Sequence, residues 1–135
     1  MENRHDIKHL PKIIIEVVPM SEMPIAGQPA DWRYDSEGSL RIKVAPAKDI
    51  YTEIDTAFHE AFEAIECALD GVSVEEVDKY DEGKATGAGH DAEAPYNKQH
   101  LHALALMHLF FAMRGQDWTK YNEKMESDDW MELFE

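Results

Sequence analysis

The chain has 135 residues, with 28 Asp and Glu against 13 Lys and Arg, and a formal net charge of −15 with its 7 histidines neutral. That balance excludes most nucleic-acid binders, which need positive charge to gain counterion-release energy at a phosphate backbone, and it disfavours adsorption to an anionic membrane. Apolar residues at 44% supply one hydrophobic core, so a single domain over residues 1–126 followed by an acidic tail at 127–135 is expected.

Residues 12–18 hold a β-branched run closed by Pro19, which predicts a strand buried on at least one face. Three prolines and a glycine between 19 and 29 make a loop. Residues 31–34 and 40–44 alternate apolar and polar side chains around Asp35-Ser36-Glu37-Gly38-Ser39, a hairpin pattern, so the expected sheet is small, three-stranded and antiparallel. Asp49 can cap a helix by accepting from its first amide N–H groups. Apolar residues at 50, 51, 54, 57, 58, 61, 62, 65, 68 and 69 carry that helix about 20 residues to Gly71.

Ser73-Val74-Glu75-Glu76 fits a capping box and predicts a short second helix to about Tyr80. Residues 81–95, with three glycines, lack periodicity and form a loop long enough to call for a functional explanation. A third helix runs from near Asn97 to Arg114, ahead of Gly115; it is apolar nearly all the way round and should pack centrally against the sheet and the first helix. Asp117 caps a last helix through about Glu126. Trp130, Leu133 and Phe134 in the tail are spaced either as a docking stripe for a protein partner or as a last turn folded back on the domain. The fold class is α+β, with three to four helices following the sheet.

No apolar run approaches the roughly 20 residues that span a bilayer, since the stretch from Leu101 to Met113 is broken by His102 and His108. The lone Cys67 cannot form an internal disulfide, and the polar opening residues carry no secretory signal, so the cytoplasm is the expected location.

The chemistry concentrates on the first helix, in His59-Glu60-Ala61-Phe62-Glu63. At about 100° per residue, His59 and Glu63 lie one turn apart on one flank of the apolar stripe, and Glu66 and Asp70 continue that line. An imidazole and a carboxylate so spaced can converge on one cation. In the H-E-x-x-H helix of zinc hydrolases the Glu after the first His stays off the metal and takes a proton from metal-bound water, which makes Glu60 the candidate catalytic base. Here Glu63 stands in for the second His, and the competing reading is a solvated acidic face.

Further ligands must come from Asp78, Asp81, His90, Asp91, His100, His102 or His108. His100, in the first turn of the third helix, is the histidine best placed to reach the first helix. His102 points away from it and His108 lies about 12 Å further along the axis. Cys67, near the polar flank, is either a reactive thiol or a small packed residue.

The run Asp31-Trp32, residues 35–40, His59-Glu60-x-x-Glu63, Cys67, Gly71-Val72-Ser73, Asp78-x-x-Asp81, Ala94-Pro95-Tyr96, His100 and Gly115-x-Asp117-Trp118-x-x-Tyr121 resembles a family of small, functionally uncharacterised proteins of bacteriophages and prophages. The resemblance covers about residues 31 to 121. It implies that His59, Glu60, Glu63, Asp78, Asp81 and His100 form one polar site, and, for a phage-encoded chain, the cytoplasm of a bacterial host.

The function expected is a zincin-like metal-binding protein, a minimal metal-dependent hydrolase. A divalent metal, Zn²⁺ first, is its cofactor, with His59, Glu63, Asp78 or Asp81, and His100 as ligands. Two alternatives stand beside it: a non-catalytic phage accessory protein whose polar or metal cluster is structural, and an acidic protein that mimics nucleic acid toward a basic partner.

Overall fold

The computed structural model describes residues 8–25, 27–82 and 88–134; the polar opening residues 1–6 and positions 83–87 of the expected long loop lie outside them. The chain folds as an α+β protein with a three-stranded sheet: β1 (Ile13–Val17), β2 (Ala30–Tyr34) and β3 (Leu40–Val44). Four helices follow, α1 (Ile50–Asp70), α2 (Val74–Asp81), α3 (Asn97–Arg114) and α4 (Trp118–Glu126). None of the described helices is long and apolar enough to cross a membrane.

The hairpin forms where its turn residues stand. Asp35 accepts from the amides of Glu37 and Ser39 at 2.9 and 3.0 Å, and Gly38 takes the positive φ of 82° that closes the turn. It sets β2 antiparallel to β3, with Trp32 opposite Ile42. The sheet is nevertheless mixed, not purely antiparallel. Its order is β1-β3-β2, and β1 runs parallel to β3 with Ile13 opposite Leu40 and Val17 opposite Val44. The long segment between Val17 and Ala30 returns the chain to the far side of β3, so β1 and β2 never pair.

Local signals set the helix ends. Asp49 accepts from the Tyr51 amide at α1, Ser73 and Glu76 form a reciprocal capping box at α2, and Asp117 accepts from the Lys120 amide at α4. Gly71 and Gly115 end α1 and α3 in the left-handed conformation.

The core lies between the sheet and α1. Leu40, Ile42 and Val44 on β3 are fully enclosed, each burial contributing roughly 1.5–3 kcal/mol, and Trp32 extends the layer on β2. What α1 turns toward them is Ala57, Ala64 and Cys67, small residues that let the helix approach closely, with Ala61 and Ile65 partly buried at the margin. Most large residues of its apolar stripe stay outside: Phe58 is 48% exposed and Leu69 51%.

The third helix also departs from expectation. It packs on α1, while Leu101, Leu109 and Met113 face solvent. A second, smaller cluster closes the other end. Phe134 folds back onto Ala45, Ala47 and Met23, bridges to Ala47, and is flanked by the partly buried Trp130 and Leu133.

Candidate metal centre

The antiparallel packing of α1 and α3 brings residues 37 positions apart into one cluster. Glu63 Oε2 stands 3.3 Å from His59 Nε2 and 3.0 Å from His100 Nδ1, so two ring nitrogens converge on one carboxylate oxygen. The other oxygen accepts from the Trp32 indole N–H at 3.1 Å, which ties α1 to β2. The two imidazoles meet edge-on with centroids 4.9 Å apart, and the ligand atoms of all three residues lie within 4.8 Å of one another. His59 and Glu63 are buried and His100 nearly so.

Each imidazole is held from behind. His59 Nδ1 lies 3.2 Å from the Met107 thioether, a weak acceptor that suits the tautomer with its proton on Nδ1 and its lone pair on Nε2. A 3₁₀ turn at Ala88–His90 covers His100: a Cβ on Gly89 would fall 2.4 Å from the ring, so only glycine permits that approach. The His90 ring meets His100 edge-on at 4.9 Å. The second His100 nitrogen, Nε2, is buried without a hydrogen-bond partner among the described residues.

The carboxylates in this region differ in electrostatic character. Burial works to raise the Glu63 carboxyl, but the hydrogen bonds and charges of His100 and His59 outweigh it and pull the group down to about 2. Glu60 goes the other way. Burial first, then the negative charges of Glu63, Asp31 and Asp81, push it well above the usual carboxylate range. Asp81 is raised to about 6, mainly by burial, against the opposing hydrogen bond it accepts from the Tyr96 hydroxyl. Asp78 is raised by burial, with Arg33 opposing the shift from 3.3 Å away.

All six residues singled out in the sequence, His59, Glu60, Glu63, Asp78, Asp81 and His100, line one cavity of about 400 Å³. Within it only His59, Glu63 and His100 converge among the described residues. Asp78 pairs with Arg33, which also forks onto Asp31 at 2.8 Å through two nitrogens, and Asp81 is occupied by Tyr96. Glu60 lines the wall with no hydrogen bond or ion pair to a described residue.

The other candidates have separate places. His102 bonds to Glu66 at 2.7 Å on the surface, His108 stacks on Trp118 at 5.2 Å, and Asp91 accepts from the Tyr80 hydroxyl at 2.8 Å. Cys67 is fully enclosed and its thiol is pushed up by burial, the state of a packed residue and not a nucleophile. Trp32, Met107 and Gly89 complete the cluster without having been singled out as site residues, although Trp32 sits in an alternating strand beside Asp31. Met107 and Gly89 carry no local signal, because their roles come only from helix and turn packing.

The cavity extends past the cluster to Leu104, Trp118, Tyr121, Met125 and Phe134. It therefore joins a polar end with nitrogen and oxygen donors to a mostly apolar end, interrupted by Thr56, Asn122 and Glu126, large enough for a side chain or acyl group. Comparison with protein-family models, curated proteins and solved structures returns no match for this chain, so the reading of the cavity rests on its own geometry.

Proposed function

We infer that the protein binds a divalent cation, Zn²⁺ first, through His59, Glu63 and His100, and uses it to hydrolyse a carbonyl substrate with Glu60 as the proton-accepting base. The observation that carries this reading is the convergence of the three donors inside the cavity. Donors arranged tetrahedrally at Zn–N and Zn–O bond lengths of roughly 2.0–2.1 Å stand about 3.3 Å apart. The separations from Glu63 Oε2 are 3.3 Å to His59 Nε2 and 3.0 Å to His100 Nδ1.

Two imidazoles and one carboxylate are a borderline donor set suited to Zn²⁺, and three protein ligands leave a fourth position for water. The cation would supply Lewis acidity toward that water and toward a substrate carbonyl. The chain's own contributions follow from placement. Met107 and Trp32 hold His59 and Glu63 in orientation, as partners behind metal ligands do. Glu60, next to His59 in sequence and on the cavity wall, makes no hydrogen bond or ion pair with a described residue, and a cation bound beside it would offset the burial and negative charges that raise its carboxyl, favouring the ionised form that takes a proton. The apolar end seats the substrate's hydrophobic part and excludes water. The six polar residues that the resemblance to phage and prophage proteins implies for one site, His59, Glu60, Glu63, Asp78, Asp81 and His100, line this same cavity, which supports reading it as the site.

Calorimetric titration of metal-free protein with Zn²⁺ at neutral pH tests the reading. One equivalent should bind, with affinity falling on the order of 100-fold or more in His59→Ala and in His100→Ala. Glu60→Gln should keep the metal and lose hydrolysis across a panel of peptides and esters. Absence of binding, or binding unchanged in His59→Ala, overturns it. The close contacts of Glu63 with Trp32 and with both imidazoles favour a second reading, in which the cluster is structural, as an ion site or a hydrogen-bond network that pins α1 to α3. A thermal transition lowered by chelation, with no hydrolysis of the panel, selects that one.

A further inference from the structure

We propose that the outer face of α1, together with the adjoining part of α3, is the interface of a homodimer formed with a second copy of this chain. The first observation is the distribution of residue types around α1. Every carboxylate of the helix lies on the arc turned to α3, the cavity or the sheet. The opposite arc, at positions 50, 51, 54, 58, 61, 62, 65 and 69, carries no charge at all in a chain in which 30% of residues are charged. On it Ile50, Tyr51, Ile54, Phe58, Phe62 and Leu69 are between 36% and 60% exposed.

The patch continues onto the neighbouring helix. Phe110 meets Phe58 edge-on at 6.0 Å and leads to Leu109 and Met113, which are 54% and 75% exposed. At roughly 200 Å² for a large side chain, about half of it accessible, these eight residues present about 800 Å². That exceeds the roughly 300–600 Å² of the largest apolar patch on a typical monomer and matches the roughly 800 Å² that each partner contributes to a standard interface.

The occupant follows from shape and charge. Ile50, Ile54, Phe58 and Phe62 form a ridge of i, i+4 side chains, and such ridges pack into the matching grooves of an identical helix when two copies meet about a two-fold axis. A chargeless face does not select a charged partner. It also keeps carboxylates out of the contact between two chains of net charge −15, since those of α1 lie off this arc and the outermost, Glu66 and Asp70, pair with His102 and with Gln99 and Lys98 of α3. Charges bordering the face are already paired, Arg114 with Asp55 and Lys98 with Asp70.

Sedimentation velocity at about 100 µM protein, at low salt and at about 0.5 M salt, decides the matter. The expected species is twice the 15.5 kDa chain. Dissociation should weaken with added salt, because screening relieves the repulsion between two acidic chains while apolar contact is untouched. Phe62→Glu, and separately Met113→Glu, should raise the dissociation constant by about 100-fold with the far-ultraviolet circular dichroism unchanged; Met113, the most exposed of the set, is the variant least able to disturb the fold. A monomer under both salt conditions overturns the proposal and leaves the face to a different partner. A dimer indifferent to both variants but broken by Ile15→Lys overturns it in favour of pairing through the edge strand β1.

Discussion

The two sides of α1 reverse the usual arrangement of a surface helix. Toward the interior it turns Asp55, His59, Glu60 and Glu63; toward solvent it turns Phe58, Phe62 and Leu69. A buried carboxylate persists only where partners replace its lost hydration, and each inward acid except Glu60 has them: Asp55 has Arg114, and Glu63 has Trp32 and two imidazoles. The outward apolar side needs no partner to remain folded, but it leaves hydrophobic surface in water. Polar atoms thus hold the inner face together by specific pairing, while the outer face contributes little until something covers it. The inner side carries the converging His59, Glu63 and His100, and the outer side carries an uncovered apolar face.

The largest expected effect breaks the inner face. Glu63→Ala should destabilise the metal-free protein by about 4 kcal/mol in chemical unfolding, since it strands the Trp32 indole N–H and two ring nitrogens in a buried site. Arg114→Met comes next at about 3 kcal/mol near pH 7, because it leaves Asp55, 1% exposed, without its counter-charge. Burial already raises the Asp55 carboxyl against the pull of Arg114. Without Arg114 the group protonates more readily, so the cost measured at pH 5 should be smaller than at pH 7. Equal costs at the two pH values would show that the pair does not act through charge.

Gly89→Ala tests the same face from behind. The added methyl group enters the space of the His100 ring, so the turn or the imidazole must move, at about 2 kcal/mol. Zn²⁺ affinity should fall with it. A variant as stable as the parent, with unaltered affinity, would mean that the contact does not position His100.

The difference between the two faces explains what the sequence disclosed. Caps and stops acted locally, and the ends of α1, α2, α3 and α4 stand where Asp49, Ser73 with Glu76, Gly71, Asp117 and Gly115 place them. The one-turn pairing of His59 with Glu63 was legible for the same reason, and His100 could be chosen because an antiparallel third helix puts its first turn beside them. Nothing local told which arc of α1 meets the sheet. Periodicity reports two faces, and the rule that the more apolar one is buried failed because small residues, Ala57, Ala64 and Cys67, allow closer packing on β3 than phenylalanines do. The parallel pairing of β1 was hidden in the same way, since five alternating residues specify neither neighbour nor direction. Trp32, Met107 and Gly89 join the cluster through contacts between elements distant in sequence, which no spacing rule encodes.

A smaller effect concerns pH. Asp81 is raised in the folded state to about 6 from an ordinary 3.8, chiefly by burial. Below the lower value both states hold the proton and the group is neutral in its effect. As pH rises toward 6 the unfolded chain releases its proton more easily, so folding loses stability and the loss is complete above about 6. Asp81→Asn removes that loss. It should stabilise the protein by on the order of 1–2 kcal/mol at pH 7 and have no effect near pH 3.5, as read from urea midpoints at the two values. A gain that is constant with pH would assign the benefit to packing instead of ionisation.

The smallest effect belongs to the outer face and completes the contrast. Leu69, 51% exposed at the last turn of α1, has water over half its surface in the single chain. Leu69→Lys should therefore change the unfolding free energy by no more than about 0.5 kcal/mol when measured at nanomolar concentration, where no association contributes. At high micromolar concentration the parent gains from any association through this face and the variant does not, so their midpoints should separate. The separation with concentration is the informative quantity. A large deficit at both concentrations would make Leu69 part of the fold of the single chain, and the inversion of α1 would then stop short of its C-terminal turn.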